Sequence, residues 1–276
     1  MNRHLIRVSI ALLCLTMLAF AQRGRFRGGP PVTGPPVSFP KDAEYHFLRM
    51  EYTDAPGYER GFGFVSRGGQ GGGWWAQDWP DAEEHFTTGV GRLTRVQSGE
   101  PEHMRITNDK IFDYPWIYAT QTGNWNLSDK EVERMREFLL RGGYLVVDDM
   151  WGSDEWENFR EAMERVLPNK PIVDLVASDS VMRVLYEIKD KDRTFIPGSR
   201  HLRGGAGNTA QIMQPPGTSP AWRGIYDDSR HMVVAINFDT DVADAWEFAD
   251  VPYYPEAMTT LAYHYGINYL IYAMTH

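Results

Sequence analysis

One strand–helix–strand segment constrains the fold more than any other part of the chain. Its helix is marked at both ends, because Ser128 and Glu131 form a capping box and a double glycine beginning at Gly142 permits the left-handed backbone that ends a helix. The flanking runs WIYAT (116–120) and YLVVDD (144–149) are apolar, and the second is typical of a parallel strand covered on both faces. The segment therefore predicts a right-handed βαβ unit within an α/β fold.

The other predicted elements alternate in the same way. They are a first strand over 45–52, a short helix from Asp81 with the apolar positions Phe86, Val90 and Leu93, a helix over 154–167 with an Asp154–Glu157 capping box, a hairpin over 223–237 and a C-terminal helix over 255–274. No internal repeat is visible. We expect a single α/β domain over 41–276.

The N-terminus has the pattern of an export signal. Arg3 and Arg7 precede an apolar run over 8–21 that ends in a small-x-small cleavage pattern. We therefore expect a signal peptide over 1–21 and an exported protein, periplasmic or extracellular, with no transmembrane span after cleavage. The Gly-, Pro- and Arg-rich stretch 22–40 has little to bury, and its composition predicts a disordered linker.

Cysteine content and charge exclude several functions. Cys14 is the only cysteine, so the mature domain would have no disulfide, no thiolate nucleophile and no cysteine-bound metal. The net charge is −9, and because residues 1–40 contribute +5, the remaining residues carry −14. Such a negative domain would repel a phosphate backbone, which argues against a nucleic-acid partner.

Four blocks together resemble a known bacterial family, domain of unknown function 4159. They are FDYPWIY (112–118), LSDKEVERMREFLLRGGYLVVDD (127–149), NFDTDVADAWE (237–247) and YGINYLIYAMT (265–275), in the family's order. The resemblance implies a fold like that of the class I glutamine amidotransferases, which is a flavodoxin-like, mostly parallel sheet with helices on both faces. It implies no established activity.

The amidotransferase-like fold normally has a cysteine nucleophile on the turn after the strand that ends here at Thr120. This chain has Gln121-Thr122-Gly123-Asn124 at that position, with neither Cys nor Ser. Glutamine hydrolysis through a covalent thioester is therefore excluded by sequence.

The carboxyl ends of parallel strands are where open α/β sheets bind ligands. We expect three segments to meet there, namely 120–125, 148–151 and 237–244. The candidate ligand-binding residues are Gly123, Asn124, Trp125, Trp151, Asn237, Asp244 and Trp246.

The acidic residues of these segments allow three interpretations. Asp148 or Asp149 with Asp239 would supply the paired carboxylates of a glycoside hydrolase. Asp239, Asp241 and Asp244 would offer oxygen ligands to a hard divalent cation, although the sequence lacks a calcium-loop motif. Alternatively, these carboxylates only accept backbone N–H bonds at turns and helix starts.

The missing nucleophile favours an exported, non-enzymatic domain that binds a ligand or a partner at the cell envelope. The ligand would be a small molecule or a carbohydrate, and the partner an envelope protein; no cofactor is predicted beyond the possible cation. The alternative is a carboxylate-dependent hydrolase that acts on carbohydrate. A third hypothesis is a structural role in an envelope assembly, with the Gly-rich loop 66–80 as the contact.

Overall fold

A seven-stranded, mostly parallel sheet forms the centre of the computed structural model, which describes residues 39–56, 73–203 and 210–276. The strands are β1 (Leu48–Glu51), β2 (Glu102–Arg105), β3 (Trp116–Thr120), β4 (Tyr144–Met150), β5 (Ile172–Asp174), β6 (Leu202–Arg203), β7 (Gln211–Ile212), β8 (Ala221–Tyr226) and β9 (Met232–Phe238). β6 and β7 form a separate two-stranded ribbon.

The sheet has the strand order β2-β1-β3-β4-β9-β8-β5. The first five strands of this order are parallel, so their carboxyl ends meet at one edge, which we call the carboxyl edge. β8 pairs antiparallel with β9, which confirms the predicted hairpin, and β5 pairs antiparallel with β8. The predicted α/β class with a mostly parallel sheet is confirmed.

Five α-helices cover the two faces of this sheet in the described residues. They are α1 (Asp81–Leu93), α2 (Asp129–Leu140), α3 (Gly152–Val166), α4 (Val242–Glu247) and α5 (Glu256–Thr275). Single turns of 3-10 helix lie over Trp74–Ala76, Thr122–Asn124, Ser180–Met182, Asp190–Asp192 and Ser199–His201, and a longer one over Asp109–Asp113.

Strand alternation separates two apolar cores. Trp116 and Tyr118 of β3 point to the face covered by α1, α4 and α5, whereas Ile117 and Ala119 point to the face covered by α2 and α3. The middle of the sheet is thus buried on both sides, and polar groups are concentrated at its edge.

The predicted helix boundaries are confirmed for α2 and need correction for α3. The Ser128 side chain accepts from the Glu131 N–H, and the Glu131 carboxylate accepts from the Ser128 N–H at 2.8 Å. The predicted Asp154–Glu157 capping box is wrong, because α3 begins at Gly152 and Glu155 accepts from the Trp151 N–H. Of the apolar positions of α1, Phe86 and Val90 are buried, whereas Leu93 is 50% exposed.

The described residues belong to one compact unit spanning Pro36–His276. The predicted signal peptide, most of the predicted linker and the glycines of 68–72 and 204–208 lie outside the described residues. None of the helices in the described ranges combines the length and the apolarity that crossing a membrane requires.

Removing the α2 cap should destabilise the domain measurably. We expect Ser128→Ala to lower the free energy of unfolding by about 1 kcal/mol, because the Glu131 N–H loses its acceptor. Urea denaturation gives the value, with Ser153→Ala in the exposed first turn of α3 as the control. Equal effects of the two substitutions would contradict the importance of the cap.

Candidate functional site

Asp148, near the end of β4, connects the sheet to a helix. Its Oδ2 accepts the Tyr118 hydroxyl at 2.6 Å and the Val242 and Ala243 N–H groups at 2.9 Å each. The side chain is fully buried. Asp148 therefore fixes the start of α4 against β3 and β4, as expected from the interpretation that a carboxylate braces a helix start.

Asp149 points to the carboxyl edge and has a left-handed backbone, with φ of 53°. Its two oxygens accept the Gln121 amide and the Trp151 indole N–H, and its side chain is buried. Gln121 and Asp239, at the ends of the neighbouring parallel strands, are also left-handed, with φ of 54° and 53°. Such strain in residues other than glycine is concentrated at functional sites in proteins.

Asp239 and Glu155 hold the start of α3. Asp239 accepts the Gly152 N–H at 2.9 Å through Oδ1 and the Ser219 N–H at 2.7 Å through Oδ2. Glu155 accepts the Trp151 N–H at 2.8 Å. Both oxygens of Asp239 are therefore already used by backbone donors.

α4 brings three further acids to the same place. Asp241 caps this helix by accepting the Asp244 N–H at 3.0 Å, and Asp244 accepts the N–H of Ser199. Glu247 follows Asp244 by three residues, so both side chains lie on one side of the helix.

Asp78 reaches this site from the loop before α1. Arg49 of β1 holds that loop, because its guanidinium donates to the Trp75 and Gln77 carbonyls at 3.0 Å each. Arg49 is fully buried and forms an ion pair with the equally buried Glu83. Oδ2 of Asp78 is inaccessible to solvent and has no hydrogen-bond partner among the described residues.

Five of these carboxylates converge, and we call Asp78, Asp149, Asp241, Asp244 and Glu247 the acidic cluster. Oxygens of Asp78, Asp149 and Asp241 lie within 4.8 Å of one another, and so do oxygens of Asp78, Asp244 and Glu247. Asp78 is thus common to two groups of three carboxylates.

The protonation of the cluster reflects this crowding. Burial raises the pKa of Asp78 well above its ordinary value, and the charges of Asp244 and Asp149 raise it further. Burial and the charge of Asp149 likewise raise the pKa of Asp241, and burial raises the pKa of Asp244. The pKa of Glu247 rises to about 11, because it is buried and faces Asp78 and Asp244. At neutral pH the cluster therefore retains protons.

The 3-10 turn Ser199–His201 lies against the cluster. The Arg200 guanidinium lies 3.6 Å from Oδ1 of Asp149 and over the Trp151 ring, 4.8 Å from its centre. His201 packs on Trp151 with ring centres 4.8 Å apart. Burial and the Arg200 charge lower the pKa of His201 to about 4, so this imidazole is neutral at pH 7.

The ligand-binding candidates separate into two groups. Trp151, Gly123 and Asp244 lie at the carboxyl edge. The other four are buried and contact neighbouring side chains: Asn124 donates to Gln121, Trp125 packs on Phe159, Asn237 accepts from Tyr269, and Trp246 packs on Phe86.

The carboxylate candidates also have different roles. Asp148 and Asp239 support helix starts, whereas Asp149, Asp241 and Asp244 belong to the acidic cluster. Of the predicted cation candidates Asp239, Asp241 and Asp244, the last two each belong to one of the two groups of three carboxylates, whereas Asp239 belongs to neither.

Sequence reasoning missed Asp78, Glu247 and Arg200. The three-residue spacing between Asp244 and Glu247 was a usable signal, because it places both on one helical side. Asp78 and Arg200 lie in irregular segments, where no periodicity predicts which way a side chain points.

Fold and site together define a three-layer α/β domain with buried carboxylates at the carboxyl edge of its parallel strands. A family model described as a domain of unknown function, DUF4159, matches residues 62–274. The chain belongs to this family, which confirms the resemblance inferred from the four sequence blocks. No curated protein matches the chain.

The raised pKa values give the domain an acid-favouring stability. Burial raises the pKa of both Asp148 and Glu155 to about 7. Between about pH 4 and pH 7 the folded protein holds protons that the unfolded chain has released, so the free energy of unfolding should fall as pH rises.

Urea denaturation at several pH values, with a chelator present, measures this slope. Glu155→Gln should make it shallower, and Glu161→Gln on the exposed side of α3 should not. A free energy of unfolding that rises across this window would contradict the assignment.

Proposed function

We propose that this protein is an exported, non-enzymatic binding domain whose acidic cluster holds a hard divalent cation. The observation that carries the proposal is the geometry of Asp78, Asp149 and Asp241, whose carboxylate oxygens lie within 4.8 Å of one another. Calcium binds oxygen ligands at about 2.3–2.6 Å, so two ligands on opposite sides of one ion lie about twice that distance apart. The three oxygens are close enough to share one such cation.

The electrostatics of the cluster support the same conclusion. Carboxylates in a poorly solvated place repel each other strongly, and this repulsion is relieved by protons or by a cation. The raised pKa values of Asp78, Asp241 and Asp244 are in line with this repulsion, because a raised pKa favours the uncharged form of a carboxyl group. The unpaired, solvent-inaccessible Oδ2 of Asp78 has a lone pair that a cation would use.

The donor set selects among metals by its chemistry. All five members of the acidic cluster offer oxygen, and none offers nitrogen or sulfur. Oxygen-only sites prefer Ca²⁺, Mg²⁺ or Mn²⁺ to zinc or copper. We therefore expect a cation of this group.

The turn where amidotransferase-like proteins carry their nucleophile supports a binding role. Gln121 occupies this turn after β3 with a left-handed φ of 54°, and its amide donates to Asp149. An amide is neither a nucleophile nor a general base.

The parallel strands follow the order β2-β1-β3-β4-β9, which supports a flavodoxin-like arrangement of the 2-1-3-4-5 type.

The second candidate is a carboxylate-dependent hydrolase that acts on carbohydrate. It is favoured by the pKa of about 7 for Asp148 and for Glu155, because a general acid works best near the operating pH. The positions of the two candidate carboxylates, Asp148 and Asp239, are less suitable for hydrolysis. Asp148 is fully buried, and both oxygens of Asp239 accept backbone N–H groups.

The cellular setting is part of the proposal. The signal-peptide pattern of 1–21 and the linker composition of 22–40 support export to the periplasm or beyond. A small molecule, a carbohydrate or an envelope protein would be the partner there. Nucleic acid is disfavoured by the charge of −14 on residues 41–276, which together with the +5 of residues 1–40 gives the net −9.

Cation binding is tested by titrating the purified domain with Ca²⁺, Mg²⁺ and Mn²⁺ in a calorimeter, after treatment with a chelator. We expect at least one of these ions to bind. At 100 times its dissociation constant it should add about 2.7 kcal/mol to the free energy of unfolding. Asp78→Asn should abolish the binding, because Asp78 belongs to both groups of three carboxylates.

The matched control is Asp250→Asn, which removes one carboxylate from an exposed position outside the cluster. It should bind the ion as the wild type does. A wild-type protein that binds none of the three ions at millimolar concentration, or an Asp78→Asn variant that binds them unchanged, would refute the proposal.

A further inference from the structure

Arg200 stands beside the acidic cluster but comes from a different part of the chain. Its guanidinium lies 3.6 Å from Oδ1 of Asp149, and its side chain is 55% exposed. Among the described residues, it is the only lysine or arginine that forms an ion pair with a member of the cluster. Asp149 is one of the three carboxylates that would share a cation with Asp78.

The backbone before Arg200 is built against the cluster. The Ser199 N–H donates to Oδ2 of Asp244. Gly198 approaches so closely that a Cβ at this position would lie 2.6 Å from Oδ2 of Asp241 and 3.1 Å from Oδ2 of Asp244. Any side chain at Gly198 would therefore displace the turn or the carboxylates. The contacts of Gly198 and Ser199 with Asp241 and Asp244 therefore fix the backbone position of Arg200.

Two aromatic neighbours then direct the guanidinium. Arg200 lies over the Trp151 ring, and its Nε donates to Nε2 of His201 at 3.2 Å. His201 is a suitable acceptor because its imidazole is neutral. Trp151 in turn donates to the same Asp149 oxygen that Arg200 faces. These contacts orient the guanidinium of the half-exposed Arg200 toward Asp149.

We infer that Arg200 is a built-in competitor of the divalent cation and sets the affinity of the acidic cluster for it. This inference rests on the proposed cation site. A divalent ion bound between Asp78, Asp149 and Asp241 would be repelled by the guanidinium, and both would draw on the same carboxylate of Asp149. Cation binding must therefore weaken the Arg200–Asp149 ion pair, and the pair must weaken cation binding by the same factor.

The test compares dissociation constants for Ca²⁺ and Mn²⁺ in the wild type and in Arg200→Gln. Arg200→Gln should bind these ions about tenfold more tightly than the wild type does, a factor typical of coupling between two sites. Arg200→Lys keeps the positive charge and should remain within about twofold of the wild type. Because the side chain is half exposed, these variants are expected to fold.

Arg160→Gln is the control for net charge. Arg160 is exposed and pairs with Glu157, away from the cluster, so its removal should leave the affinity within about twofold. An unchanged or weaker affinity in Arg200→Gln, with a wild type that binds, would overturn the inference and leave the cation site standing. If neither the wild type nor Arg200→Gln binds an ion, the proposed function itself fails, and the inference fails with it.

Discussion

The contacts of one buried carboxylate determine where most of the site is placed. Asp148 accepts three donors at a single oxygen, one from Tyr118 in β3 and two from the first residues of α4. α4 has only six residues, too few to be stable as a helix on its own. Its position therefore depends on this anchor and on packing. Asp241, Asp244 and Glu247 reach the cluster because α4 is held in place there.

A second buried charge holds the loop that carries Asp78. Arg49, neutralised by Glu83, fixes the loop carbonyls next to Asp78 and lies 5.0 Å from the centre of the Tyr118 ring. Breaking a buried ion pair of this kind is strongly destabilising, so such pairs hold neighbouring groups in place. Acids from three separate segments are thereby kept in contact despite their repulsion. We regard this convergence as the central feature of the molecule.

The sequence predicted the regular parts well, for identifiable reasons. The capping box at Ser128, the double glycine after α2 and the apolar run of β4 are local signals, and the structure has all three. The carboxyl edge followed from strand direction alone. The acidic cluster and its neighbour Arg200 could not be predicted in this way. Asp78 and Arg200 come from irregular segments that are placed by distant contacts, such as that of Arg49 with the Gln77 carbonyl. The sequence left the role of Asp148 open, and in the structure this buried side chain accepts hydrogen bonds from the start of α4.

Whether the acidic cluster binds a divalent cation can be seen directly by anomalous diffraction from crystals of the domain grown with Mn²⁺. We expect an anomalous peak within about 2.0–2.6 Å of a carboxylate oxygen of Asp78 and of oxygens from Asp149 and Asp241 or from Asp244 and Glu247. Crystals whose cluster shows no peak at millimolar Mn²⁺, or whose Mn²⁺ binds only elsewhere, would contradict it.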